Sequence, residues 1–218
     1  MTASSTSGRR VPTVADLYEL MSVLAHDLRT PLTPVRGYAE ILRTKPQLGH
    51  EKTAQYAAII VDAAARIERS VDMYSGISAL YGGRAEMRPE TVRTIDLVDE
   101  RLDIWRGRLP ERTFVADEQS ELAAVVVDRG WLGKALDVLI DRAVRRWPAP
   151  AVISFGAHTA PDAQAMRFTA RAVGLPAVDD EPLSHDRLSQ AFIAAVSDVC
   201  GYSLHESFAI DVPAAALS

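Results

Sequence analysis

Apolar side chains recur every three, four or seven residues along one stretch of the chain: Leu17, Met21, Leu24, Leu28, Leu32, Val35 and Leu42. Such spacing makes one stripe along a helix. Thr13 and Asp16 stand where a hydroxyl and a carboxylate cap the free amides of a first turn. The pattern predicts a helix from Thr13 to about Lys45. Pro31 and Pro34 sit inside it. An interior proline costs about 3 kcal/mol, because its ring removes a donor and clashes with the preceding turn. Thr30-Pro31 is either a point where the helix bends or a cap from which it restarts.

Pro46-Gln47-Leu48-Gly49 reads as a turn, and Glu51 to about Leu80 as a second helix carrying Tyr56, Ile60, Ala63, Ile67, Val71 and Tyr74 on one side. Two helices joined this closely form an antiparallel hairpin. A hairpin buries little alone, so its stripes need further partners. Pairing two copies into a four-helix bundle supplies them and predicts a homodimer. Packing on the C-terminal half is the alternative. Tyr81-Gly82-Gly83-Arg84 marks a boundary. The units expected are a disordered tail at 1–12, the hairpin at 13–83 and a second unit at 89–218.

In that second unit the texture shifts to short mixed elements. Helices are expected over Val92–Arg106, Trp131–Trp147 and His185–Cys200. Strands are expected over Thr113–Asp117, Leu122–Val127, Ala151–Gly156, Ala165–Ala172 and Glu206–Val212. This order suggests an α/β sandwich on a mixed sheet.

Composition narrows the function classes. A net charge of −5 over 218 residues disfavours general nucleic-acid binding, which needs a basic field. The lone Cys200 rules out an internal disulfide and a cysteine-built zinc site. No apolar run approaches the roughly 20 residues that span a bilayer, and Met1–Arg10 lacks a hydrophobic signal core. The expectation is a cytoplasmic protein without membrane contact.

On a helical wheel of about 100° per residue, His26 lies ~160° from Leu24, while Thr30, Thr33 and Gly37 fall within ~40° of His26. The histidine is therefore expected on the exposed face, along a strip of small or polar side chains that lets another protein approach closely. An imidazole with a pKa near ~6.5 is a nucleophile at neutral pH. The neighbouring Asp27 can accept the proton of one ring nitrogen while the other attacks phosphorus. His158, His185 and His205 show no metal-ligand spacing, and neither they nor His50 is assigned a role.

His26-Asp27-Leu28-Arg29-Thr30-Pro31-Leu32, continued by Thr33-Pro34, Gly37 and Tyr38-Ala39-Glu40-Ile41-Leu42, resembles the phospho-acceptor box of the two-component sensor histidine kinases. The resemblance implies that His26 carries the phosphoryl group, that Asp27 is the acid/base and that Thr30 orients water for dephosphorylation of a regulator. It implies a response-regulator receiver domain as partner, with Mg²⁺ on the receiver rather than on this chain. Arg29, Thr33, Gly37 and Tyr38 are the residues expected to meet it. Leu32 and Val35 are expected in the bundle core.

In that family a Bergerat-type ATP-binding domain follows the hairpin, and Val127-Asp128 with Trp131–Val144 resembles its strand-turn-helix. The chemistry is missing. Val138 and Arg142 stand where asparagines would face the nucleotide and Mg²⁺, and a guanidinium cannot coordinate a cation. Ala170-Arg171-Ala172-Val173-Gly174 replaces Asp-x-Gly-x-Gly, and Arg187-Leu188-Ser189-Gln190 replaces the phosphate-loop glycines. The segment between Pro176 and Arg187 is short for a nucleotide lid. Arg142, Arg145 and Arg146 read as a solvated helix face, with a cationic patch facing an acidic receiver as the alternative. The expected fold is thus a helical hairpin forming a dimeric four-helix bundle, followed by a degenerate Bergerat-type α/β sandwich that binds no cofactor and no metal.

The function this implies is a histidine phosphotransferase of a phosphorelay. It shuttles a phosphoryl group between receiver aspartates, fed by an upstream hybrid histidine kinase. The competing reading is a pseudokinase that docks a regulator or heterodimerises with an active kinase.

Overall fold

The computed structural model describes residues 13–118, 120, 123–161, 164–175, 187–205 and 209–213. The expected tail at 1–12, the lid segment, His185 and the expected strand residues Leu122 and Glu206 lie outside the described residues.

Helix α1 (Val14–Thr44) opens on a complete capping box. The Asp16 amide donates to Thr13 Oγ1 at 3.2 Å, and the Thr13 amide donates to Asp16 Oδ2 at 2.8 Å. After a five-residue turn, α2 (His50–Tyr81) returns alongside. Gly83, at φ 69°, ends α2 in the left-handed conformation that glycine adopts without strain, and the Arg84 amide closes back on Ala79 O.

The α/β unit begins with β1 (Pro89–Arg93), followed by α3 (Thr94–Arg108). This corrects the helix expected from Val92. Val92 instead pairs with Val125 of β3 (Ala124–Asp128) in a two-stranded antiparallel ladder. Next come β2 (Phe114–Ala116), α4 (Arg129–Arg146), β4 (Ile153–Thr159), β5 (Ala165–Ala172), α5 (Arg187–Cys200), β6 (Ser203–His205) and β7 (Ala209–Pro213). A second sheet has the order β2-β4-β5-β7-β6; β2 and β4 run parallel and the other pairs antiparallel.

Strand alternation builds the core. Ile153, Phe155 and Ala157 of β4 share a face with Phe168 and Ala170 of β5 and with Ile210 of β7, and all are buried. Leu132, Leu136 and Leu139 of α4, with Leu97, Leu102 and Trp105 of α3, complete that apolar layer. Trp105 Nε1 donates to Asp137 Oδ1 at 2.9 Å, and Arg101 Nη1 reaches Asp137 Oδ2 at 3.2 Å. Arg101 also pairs with Glu100, whose second oxygen takes Arg129 at 2.5 Å.

Candidate functional site

His26 projects from the middle of α1 with 57% of its side chain exposed, on the face the wheel predicts. Its Nδ1 lies 3.2 Å from Asp27 Oδ1, and Asp27 is only 16% exposed. A half-sunk carboxylate held against one ring nitrogen does two things. It selects the tautomer with the proton on Nδ1, so the lone pair sits on Nε2. It also opposes the positive charge that develops on the ring when Nε2 attacks an electrophile.

The helix runs unbroken through both prolines. Pro31 and Pro34 have no N–H, so the carbonyls of Asp27 and Thr30 lose their usual donors four residues on. Two threonine hydroxyls bond to the backbone beside these gaps. Thr30 Oγ1 donates to His26 O and Thr33 Oγ1 to Arg29 O, both at 3.2 Å. Such back-bonding bends helices slightly. The Thr-Pro pairs therefore loosen the ladder right beside the imidazole, and the reading of a helix that restarts at Pro31 is set aside. Thr30 keeps its lone pairs for a water or an incoming group while its proton serves the backbone.

Arg29, Thr33 and Gly37 are exposed, and a side chain at Gly37 would meet open space. Tyr38 is half-buried, with its ring 4.9 Å from that of Tyr56 on α2, so it joins the two helices as well as bordering the strip. Leu32, expected in a bundle core, is 49% exposed in the single chain. Leu17, Met21 and Tyr18 are exposed too, Tyr18 at 75%.

The positions that resemble a nucleotide site carry side chains that are mostly buried. Arg142 is 2% exposed, which removes it from the solvated arginine face expected from sequence; Arg145 is exposed and pairs with Asp141 at 2.9 Å. Ala170 and Leu188 are buried, and Val138 is half-buried. Asp128 caps α4 by accepting the Trp131 amide at 2.9 Å and also accepts the Arg88 amide at 2.7 Å, so it is engaged at both oxygens. His158 Nε2 lies 3.5 Å from Asp117, which also takes Arg171 at 2.5 Å. Among the described residues no group of His, Cys, Asp and Glu is arranged to hold a metal.

The reading from sequence missed Asp137, Asp117 and Gly76. An acid inside the apolar run Lys134–Ile140 was the one available signal for Asp137.

Cys200 is no hidden nucleophile. Burial pushes its thiol up to about 11, and the charge of Asp128 adds to this. Iodoacetamide at pH 8 is expected to alkylate it at least about 100-fold more slowly than a free cysteine, as read by intact mass. Alkylation at the free rate would show the thiol to be solvated.

Comparison with known proteins agrees with this geometry. Residues 16–76 match the His Kinase A (phospho-acceptor) domain. The sensor protein VanSC of Enterococcus gallinarum is 40% identical over 118 residues, covering 49% of this chain and 33% of VanSC. The chain spans at most 48% of the length of the curated relatives it matches. The histidine kinase AdeS of Acinetobacter baumannii superposes with a TM-score of 0.64 at 18% identity, over 87% of this chain and 98% of that one. Histidine kinase ThkA, solved in complex with the response regulator protein TrrA, gives 0.60 at 17% identity, over 92% of this chain and 63% of that one. No helix among the described residues is long and apolar enough to cross a membrane. Residues 16–76 thus form a hairpin similar to the His Kinase A phospho-acceptor domain, with an exposed histidine, and the chain as a whole has the fold of the histidine kinases it superposes on.

Proposed function

We propose that the chain is a histidine phosphotransferase of a cytoplasmic phosphorelay, passing phosphoryl groups between receiver-domain aspartates through His26 and binding no ATP. The observation that carries this is a contrast. The imidazole is exposed and backed by Asp27, whereas Arg142 and Ala170, at the positions of a nucleotide site, are buried in the core.

The chemistry follows from the pair. Nε2 of His26 attacks the phosphorus of an aspartyl phosphate; the N–P bond forms as the acyl P–O bond breaks, and the aspartate leaves as a carboxylate. Asp27 stabilises the cationic ring through Nδ1–H. The reverse step loads a second receiver. Mg²⁺ on the receiver neutralises the transferring group. Arg29, Thr33, Gly37 and Tyr38 border the approach, and Thr30 is placed to hold a hydrolytic water. The ThkA complex with a response regulator supports the choice of partner class. Exposed Leu17, Tyr18, Met21 and Leu32 support pairing of two hairpins.

Two measurements test the reading. Incubation with a phosphorylated receiver is expected to place an acid-labile, alkali-stable label on His26. Calorimetric titration with Mg²⁺-ATP is expected to show no heat of binding. Saturable ATP binding would overturn the nucleotide-free reading. The absence of label from every cognate receiver would favour the pseudokinase docking module instead.

A further inference from the structure

Gly76 lies inside α2, at a position where alanine would favour the helix by about 1 kcal/mol. The reason for glycine is a neighbour from the other unit. A Cβ at this position would stand 2.6 Å from Phe192 Cε2 and 3.4 Å from the Trp131 ring. Phe192 belongs to α5, is almost fully buried, and has its ring centroid 6.5 Å from that of Trp131 on α4. The ring therefore has little room to retreat.

The same seam carries two polar contacts. Ser189 Oγ donates to Met73 Sδ at 3.9 Å, and Tyr81 OH donates to Asp198 Oδ2 at 3.0 Å. Leu20, Val23 and Leu24 of α1, in the turns just before His26, pack against the same core. Helix α5 is thus packed on two sides, by α4 of its own unit and by the hairpin.

We propose that Phe192 seated on Gly76 is a conformational lock. It holds the α/β unit in one orientation on the hairpin and covers the α1 turns that lead into His26, leaving the Thr30–Gly37 strip open to a partner. A side chain at position 76 acts as a wedge: it improves the helix and opens the seam. The lock stands apart from the phosphotransfer reading, because its test uses neither nucleotide nor receiver.

The probe is hydrogen peroxide, with methionine sulfoxide read by peptide mass spectrometry. Met73 reports on the seam, exposed Met87 on the linker and Met166, 3% exposed, on the α/β core. In the parent protein Met73 is expected to oxidise more slowly than Met87. Gly76→Val is expected to raise the Met73 rate about fivefold or more while Met166 stays protected. Phe192→Ala, which removes the ring without a wedge, is expected to do the same. An unchanged Met73 rate in both variants overturns the lock. Simultaneous loss of protection at Met73 and Met166 in both also overturns it, since the two units would then open as one cooperative body.

Discussion

His26→Ala is expected to abolish phosphoryl labelling completely while leaving stability within about 0.5 kcal/mol of the parent. The asymmetry follows from position. The ring is 57% exposed and leans on its own neighbour Asp27, so removing it opens no cavity. Labelling is read after incubation with phosphorylated receiver, and stability by urea unfolding. Asp27→Asn keeps a group of the same shape beside Nδ1 and removes the charge. It is expected to slow transfer by roughly 10²- to 10⁴-fold, the usual worth of a positioned acid/base. An unfolded His26→Ala protein would mean that the ring packs in the bundle. Wild-type transfer by Asp27→Asn would remove the carboxylate from the mechanism.

Asp137→Ala is expected to cost about 3 kcal/mol in urea unfolding, the largest stability loss for a single polar side chain proposed here. Asp137 accepts the Trp105 indole and one arm of the Arg101 guanidinium, both in the α3–α4 layer, and Arg108 stands 3.7 Å away. Removing the carboxylate leaves a buried indole N–H unmet, worth about 1–3 kcal/mol, and strips one partner from a buried cation. Arg101 keeps Glu100, which holds the loss near the lower end of the range for a broken buried pair. Asp137→Asn, which keeps an acceptor for Trp105, is expected to lose about half as much. A loss under about 1 kcal/mol for Asp137→Ala would show that water replaces the carboxylate. Glu100 adds a pH dependence to this cluster. Burial pushes its carboxyl up, but the Arg129 hydrogen bond and the nearby Arg101 charge outweigh that and hold it below the ordinary value. Its contribution is therefore present above the ordinary glutamate range, near ~4.3, and is lost as the pH falls through the depressed value.

The hairpin and its histidine were legible because their signals are local. The Thr13–Asp16 box, the stripe from Leu17 and the glycines at 82–83 each act within one or two turns, and α1 and α2 begin and end within a residue or two of where these signals place them. The exposure of His26 follows from the same wheel that places the stripe. Other features lie beyond such a reading. Strand β1 forms because Pro89–Arg93 finds β3 some 30 residues later, and that pairing moves the start of α3 to Thr94. Strand β6 is three residues held by β7.

By itself, the sequence determined the two helices, their turn and the face on which His26 is exposed, since all of these are matters of residue identity and short-range periodicity. Only the tertiary structure decided that Arg142 is buried rather than solvated, that Asp137 joins α3 to α4, and that Gly76 receives Phe192. The physical reason is that burial and pairing depend on which surfaces meet across tens of residues, and no local pattern carries that information.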